Sequence, residues 1–162
     1  MIVGGGQERG LRSGTENVAG VIGFARAAEL AHEHQKSESA RLHELRDFMQ
    51  GELSNAFKQL VVSGHPKKHL PGSLHVSIPG LDAERIVFAL EVRGVLLATG
   101  SACAANKGTR SHVLTAIGMS DAEADGSLRI TLGRLSDKAS VEQATAIIIE
   151  EITRELKRTG HA

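Results

Sequence analysis

The amino-acid sequence predicts an α/β fold of the α+β sandwich kind, a small sheet covered by helices and preceded by a long N-terminal helix. Three observations predict it. From residue 60 onward, short alternating segments and helically spaced segments follow one another as β, β, α, β, α, β, α. Gly and Pro punctuate the junctions between them. The stretch from Val18 to Phe57 repeats apolar residues at helical spacing and contains no proline. With 162 residues, 41% hydrophobic and 23% charged, the chain suits one ordinary domain with an appendage.

Each element has its own signals. Gly4 to Thr15 reads as irregular backbone, because five of the 18 glycines fall in the first fourteen residues. Thr15 or Asn17 can cap the helix that follows, whose stripe is Val18, Val21, Ile22, Ala25, Ala28 and Ala31. A second stripe, Leu42, Leu45, Phe48, Met49, Leu53 and Phe57, continues beyond a polar segment free of Gly and Pro, so one long helix and two helices both remain open. Leu60 to Gly64 is a strand candidate. In Ser73-Leu74-His75-Val76-Ser77-Ile78, Leu74, Val76 and Ile78 share a face and Pro79-Gly80 ends the run. Asp82 caps a helix through Val92, and Val95 to Ala98 is a further strand candidate. Ser111 and Ser120 open short helices. Leu128, Ile130 and Leu132 point inward from a strand that turns Arg129 and Thr131 the other way. Ser140 with Gln143 forms a capping box for the last helix.

Composition narrows the function. Lys and Arg total 19, as do Asp and Glu, so the net charge is zero, against nucleic-acid binding through a basic surface. The best apolar run, Ala146 to Ile149, is far below the roughly 20 residues of a membrane span. A single cysteine and no signal-peptide pattern point to a reducing, cytoplasmic setting.

Few residues are candidates for chemistry. Cys103 sits among Ser101, Ala102, Ala104 and Asn106, a poor apolar pocket. Lys107, Arg110 and His112 are near enough in sequence to favour a thiolate. A reactive thiol on a loop and a small buried hydrophobe both remain open. Gly14-Thr15 at a helix start combines backbone N–H groups, a hydroxyl and a helix dipole, the makings of an anion site, though not a P-loop. A plain glycine-rich terminus is the alternative. Arg129 has the fork geometry for a carboxylate, but an exposed strand arginine needs no function. The eight histidines do not converge, and no metal site is expected.

Three stretches in order carry a resemblance. They are Gly4-Gly5-Gly6-Gln7-Glu8-Arg9-Gly10-Leu11-Arg12-Ser13-Gly14-Thr15-Glu16-Asn17, then Gly100-Ser101-Ala102-Cys103, then Ser127-Leu128-Arg129-Ile130-Thr131-Leu132-Gly133-Arg134. Ser111-His112-Val113-Leu114 and Ala116-Ile117-Gly118 add to them. Together they resemble the C-terminal part of pyridoxal-phosphate-dependent cysteine desulfurases, in the class V aminotransferase group.

That resemblance implies the small C-terminal domain of a fold-type-I pyridoxal-phosphate enzyme over residues 59–162. Residues 1–58 would be a glycine-rich loop and long helix left from the large domain or linker. It implies that Cys103 takes sulfur from L-cysteine as a persulfide with release of alanine, that Arg129 holds the substrate carboxylate, and that Thr15 reaches the cofactor phosphate of a partner subunit. His75 stands where the family often has Asn. The family's Schiff-base lysine lies upstream of the Gly4 motif, and none of the seven lysines sits in a comparable motif. The expectation is therefore a desulfurase without its cofactor-binding domain, whose isolated chain neither holds pyridoxal phosphate firmly nor turns over cysteine. Whether this chain is itself an enzyme stays open. The expected partners are a sulfur-acceptor or scaffold protein and a second copy, because the first helix exposes its apolar stripe. The competing reading is a cofactor-free persulfide carrier or partner-binding module.

Overall fold

A computed structural model describes residues 3–100 and 110–160. A 3₁₀ turn at Glu8–Gly10 leads to helix α1, Val18–Ala56. The expected long helix is therefore continuous. Asn17 supplies its cap: the Gly20 N–H donates to Asn17 Oδ1 at 2.9 Å. Thr15 is left out of that role. The elements after it are β1 (Val61–Val62), β2 (Ser73–Ser77), α2 (Ala83–Val92), β3 (Ala98–Thr99), α3 (His112–Ala116), α4 (Asp121–Asp125), β4 (Ser127–Thr131) and α5 (Lys138–Thr159).

Two expectations need correction. The third strand lies at Ala98–Thr99, not Val95–Ala98. The residues before it complete the exit of α2, where left-handed Gly94 precedes a bond from the Val95 N–H to the Leu90 carbonyl at 2.9 Å. The last helix is capped by Asp137, not Ser140. Asp137 Oδ1 accepts from the Ser140 N–H at 2.7 Å and Ser140 Oγ accepts from the Asp137 N–H at 3.1 Å, so the box sits three residues earlier.

The sheet runs β1-β2-β4-β3 and its pairs are antiparallel. Leu74 faces Ile130 and Val76 faces Leu128, and this side meets the core. Met49 and Leu53 of α1, Ile86 and Leu90 of α2, and Ile148, Ile152 and Leu156 of α5 fill it. With no Trp or Tyr in the chain, aliphatic side chains do this work, and Phe57 is the one phenylalanine buried. Ion pairs fasten α5. Buried Glu155 meets Arg85 and Arg158, and buried Glu151 meets Arg93 and Arg154. Hydrogen bonds from Arg158 first, then its charge and that of Arg85, hold the Glu155 carboxyl below its usual range against burial.

The chain forms two compact units, up to Ser37 and from Glu38 onward. In the first, every residue from Gly14 to Ser37 is exposed, including Val18, Val21, Ile22 and Phe24.

Candidate functional site

The alternation that buries Leu74 and Val76 turns Ser73, His75 and Ser77 to the opposite face of the sheet. Across the ladder, Ser73 faces Thr131, His75 faces Arg129 and Ser77 faces Ser127. That face is wholly polar on these two strands. It is closed at one end and open at the other. Ser77 and Ser127 are fully buried, with Ser127 Oγ donating to the Ala124 carbonyl of α4 at 2.8 Å. His75 is half-buried, and Arg129 and Thr131 are exposed.

Among the described residues Arg9, Arg129 and Arg134 are the arginines outside ion pairs, and Arg129 is the one of them that lies on a strand. Arg12, Arg26, Arg41, Arg46, Arg85, Arg93, Arg110, Arg154 and Arg158 all sit in ion pairs. Arg129 has no acidic partner among the described residues. On its β3 side it meets only the small Ala98. A guanidinium left unpaired on a polar face can take an incoming carboxylate through two parallel hydrogen bonds.

Beside it, His75 Nδ1 and Nε2 are both buried without a hydrogen-bond partner. Burial first, and then the Arg129 charge, push the imidazole below its ordinary value and favour the neutral ring. Gly100 closes this corner. A Cβ there would stand 2.2 Å from Ser127 Oγ, 2.8 Å from Leu114 Cδ1 and 3.3 Å from His75 Nε2, so any side chain would displace its neighbours. His75 is the site residue that residue-level reasoning left without a role. Its signal was a histidine at an outward register position beside Arg129, visible once β2 and β4 are paired.

Cys103 lies outside the described residues, as does Lys107. The neighbouring Arg110 is committed elsewhere: its guanidinium pairs with Asp125 at 2.8 Å and Asp121 at 3.0 Å.

In the first unit, Gly4, Gly10 and Gly14 adopt positive φ, as do Glu8 and Arg9. Arg12 Nη1 donates to the Gly14 carbonyl at 2.6 Å, and Ser13 Oγ donates to the Gly5 carbonyl at 2.9 Å. The folded-back loop leaves Thr15 exposed, its hydroxyl outside these bonds. Among the described residues no three His, Cys, Asp or Glu side chains gather as a metal site. The closest histidine pair, His43 and His69, is an edge-to-face ring contact at 5.4 Å.

A small four-stranded antiparallel sheet covered by helices defines the class, an α/β fold. Residues 4–144 match the family described as aminotransferase class-V, and the chain belongs to that family. It is 39% identical over 156 residues to a cysteine desulfurase, IscS 1, of Archaeoglobus fulgidus, covering 95% of this chain and 40% of that one. It is 38% identical over 155 residues to an IscS-like cysteine desulfurase of Mycobacterium tuberculosis, covering 95% and 39%. Among solved structures, a NifS-like protein superposes with a TM-score of 0.81 at 32% identity, over 95% of this chain and 39% of its own. A NifS-like protein of Rickettsia africae does so at 0.80 and 27%, over 93% and 39%. The chain spans about two-fifths of the length of these relatives.

The family depends on pyridoxal phosphate. Taken separately, each unit holds a group that suits such chemistry: Thr15 leaves its hydroxyl uncommitted in the first, and Arg129 is a cation without an acidic partner among the described residues in the second. The six described lysines (Lys36, Lys58, Lys67, Lys68, Lys138 and Lys157) are all exposed. None offers an enclosed amine to carry the cofactor. Among the described residues, no helix is long and apolar enough to cross a membrane.

Proposed function

We propose that this chain forms the small-domain side of a cysteine desulfurase. The observation that carries the reading is Arg129, unpaired on a polar sheet face beside Gly100, from which the chain runs into Ser101-Ala102-Cys103. Arg129 holds the α-carboxylate of L-cysteine, and Thr15 donates to the cofactor phosphate, in a partner subunit. Pyridoxal phosphate, when bound, supplies an electron sink for the substrate. The Cys103 thiolate attacks the substrate sulfur: an S–S bond forms, the substrate C–S bond breaks, and its electron pair stays on carbon. Carbon then takes a proton to give alanine, and Cys103 is left as a persulfide for an acceptor or scaffold protein.

Within this reading, residues 59–162 form the small α/β domain. Residues 1–58 are the linking segment, whose second half lends Met49 and Leu53 to the core. By itself the chain neither retains pyridoxal phosphate nor turns over cysteine, because its described lysines are solvent-facing. The exposed Val18, Val21, Ile22 and Phe24 associate with a second copy. A concentration-independent monomer in sedimentation would rule that association out. A free thiol suits the reducing cytoplasm.

The main test incubates the 162-residue chain with pyridoxal phosphate and L-cysteine, with and without an intact desulfurase, and weighs it by mass spectrometry. Alone, it should show no stoichiometric cofactor absorbance and no added sulfur. A dialysis-resistant cofactor band, with alanine released, overturns the inactivity. One sulfur on Cys103 only when the intact enzyme is present supports the rival reading, a cofactor-free persulfide carrier.

A further inference from the structure

We propose that His75 is a second recognition residue of the Arg129 site, its neutral imidazole donating a hydrogen bond to the carboxylate of the bound amino acid. This rests on the reading that Arg129 grips that carboxylate, and adds the residue that orients it. The starting observation is geometric. His75 of β2 and Arg129 of β4 are direct cross-strand partners, so their side chains leave the sheet on the same face about 5 Å apart at the backbone.

An ordinary strand histidine turns one ring nitrogen to water. Here both are hidden and neither has a partner among the described residues. A neutral ring always carries one N–H, and burying it without an acceptor costs about 1–3 kcal/mol. The groups around the ring offer no relief. Beside β1, Ser63 donates its N–H to the His75 carbonyl at 3.0 Å and its hydroxyl to Met119 Sδ at 3.4 Å. Leu114 of α3 is apolar, and Ser127 Oγ, which donates to the Ala124 carbonyl at 2.8 Å, accepts no hydrogen bond from the ring. On its own strand, Ser73 and Ser77 are uncharged. Arg129 is the charged group acting on the ring, and it is a donor too. Two donors side by side, one buried and one open, lack a shared acceptor.

A carboxylate supplies that acceptor. Its two oxygens take the guanidinium N–H groups, and one retains a lone pair for the imidazole N–H. Nε2 is covered in the empty site, and Gly100, where a Cβ would stand 3.3 Å from the nitrogen, adds no side chain to that cover. Neutrality of the ring matters for the same reason. An imidazolium would repel Arg129 in the empty site, whereas a neutral donor does not. Once the anion is seated it attracts positive charge, so protonation of His75 becomes easier.

The test follows His75 and Arg129 side-chain NMR signals in the 162-residue chain during titration with L-alanine, with ethylamine as the carboxylate-free control. L-alanine should move the Arg129 Nε–H and the His75 ring signals together and raise the His75 titration midpoint. Ethylamine should do neither. His75→Leu should weaken L-alanine binding about tenfold, the loss of one hydrogen bond to a charged group. His75→Asn, which keeps a donor, should bind within about twofold of the parent by the same reasoning. If L-alanine moves Arg129 alone and His75→Leu binds like the parent, His75 has no part in recognition while the Arg129 reading stands. If Arg129→Gln binds like the parent, or L-alanine moves neither signal, the Arg129 reading itself fails.

Discussion

The two faces of the β2–β4 pair are built from alternate residues of the same ten positions, yet they do opposite things. On one, Leu74, Val76, Leu128 and Ile130 are at most 5% exposed and join the core. On the other, Ser73, His75, Ser77, Ser127, Arg129 and Thr131 offer no aliphatic side chain at all. They grade from fully buried to open water and leave a ring and a hydroxyl without partners. The first face removes apolar area from water, which stabilises the fold. The second carries desolvated polar groups, which weakens it. Under the proposed function, the polar face answers to what it binds rather than to stability.

The largest effect should come from the apolar face. Leu128 is fully buried and faces Val76 across the ladder. Leu128→Ala should lose about 2–5 kcal/mol, the transfer term plus the cavity left by a rigid sheet. Urea denaturation of the two proteins measures it. A loss below about 1 kcal/mol would mean that this face does not carry the fold in the way described.

Much of this contrast was legible from residue order alone. The alternation Leu74-His75-Val76 and Leu128-Arg129-Ile130 already separates the faces, because a strand has period two. The caps at Asp82 and Ser120 were equally readable, since Asp82 stands just before an apolar repeat and Ser120 three residues before Glu123, the spacing of a capping box. What sequence could not supply was register. Nothing local says that residue 75 pairs with 129, fifty-four positions away, so His75 and Arg129 read as two isolated side chains. The same limit hid the Arg110 pairing with Asp121 and Asp125. The misread cap at Ser140 is different. Both Asp137 and Ser140 are good cap residues, and only the helix start decides between them.

A smaller effect, of either sign, separates two hydroxyls on one rung of the polar face. Ser127 Oγ donates to the Ala124 carbonyl, whereas its cross-strand neighbour Ser77 has a buried hydroxyl with no partner. Ser127→Ala should lose about 1 kcal/mol, the net worth of one hydrogen bond. Ser77→Ala should be neutral or gain up to about 1 kcal/mol, because it removes a group that gave up water for nothing. Matching losses in both variants, read from thermal unfolding, would show that Ser77 is satisfied after all.

The smallest expected effect is the pH response of His75, a residue half-buried as a whole although its ring nitrogens are hidden. Its folded pKa lies below the unfolded value of about 6.5, from burial first and Arg129 second. As pH falls through about 6.5, the unfolded chain takes up a proton that the folded ring resists, so stability declines on the acid side and is flat above it. The carboxylates Glu123, Asp137, Glu150 and Glu155, held low by their partners, also lose stability with acid. They do so in a lower window, below about 4.5, where unfolded carboxylates begin to protonate. The two contributions therefore separate along the pH axis. His75→Asn should flatten the Tm curve between about pH 7 and 5 and leave the more acid limb in place. Parallel curves for the two proteins across that upper window would show that the ring is solvated, and the two faces of the strand pair would then differ only in polarity.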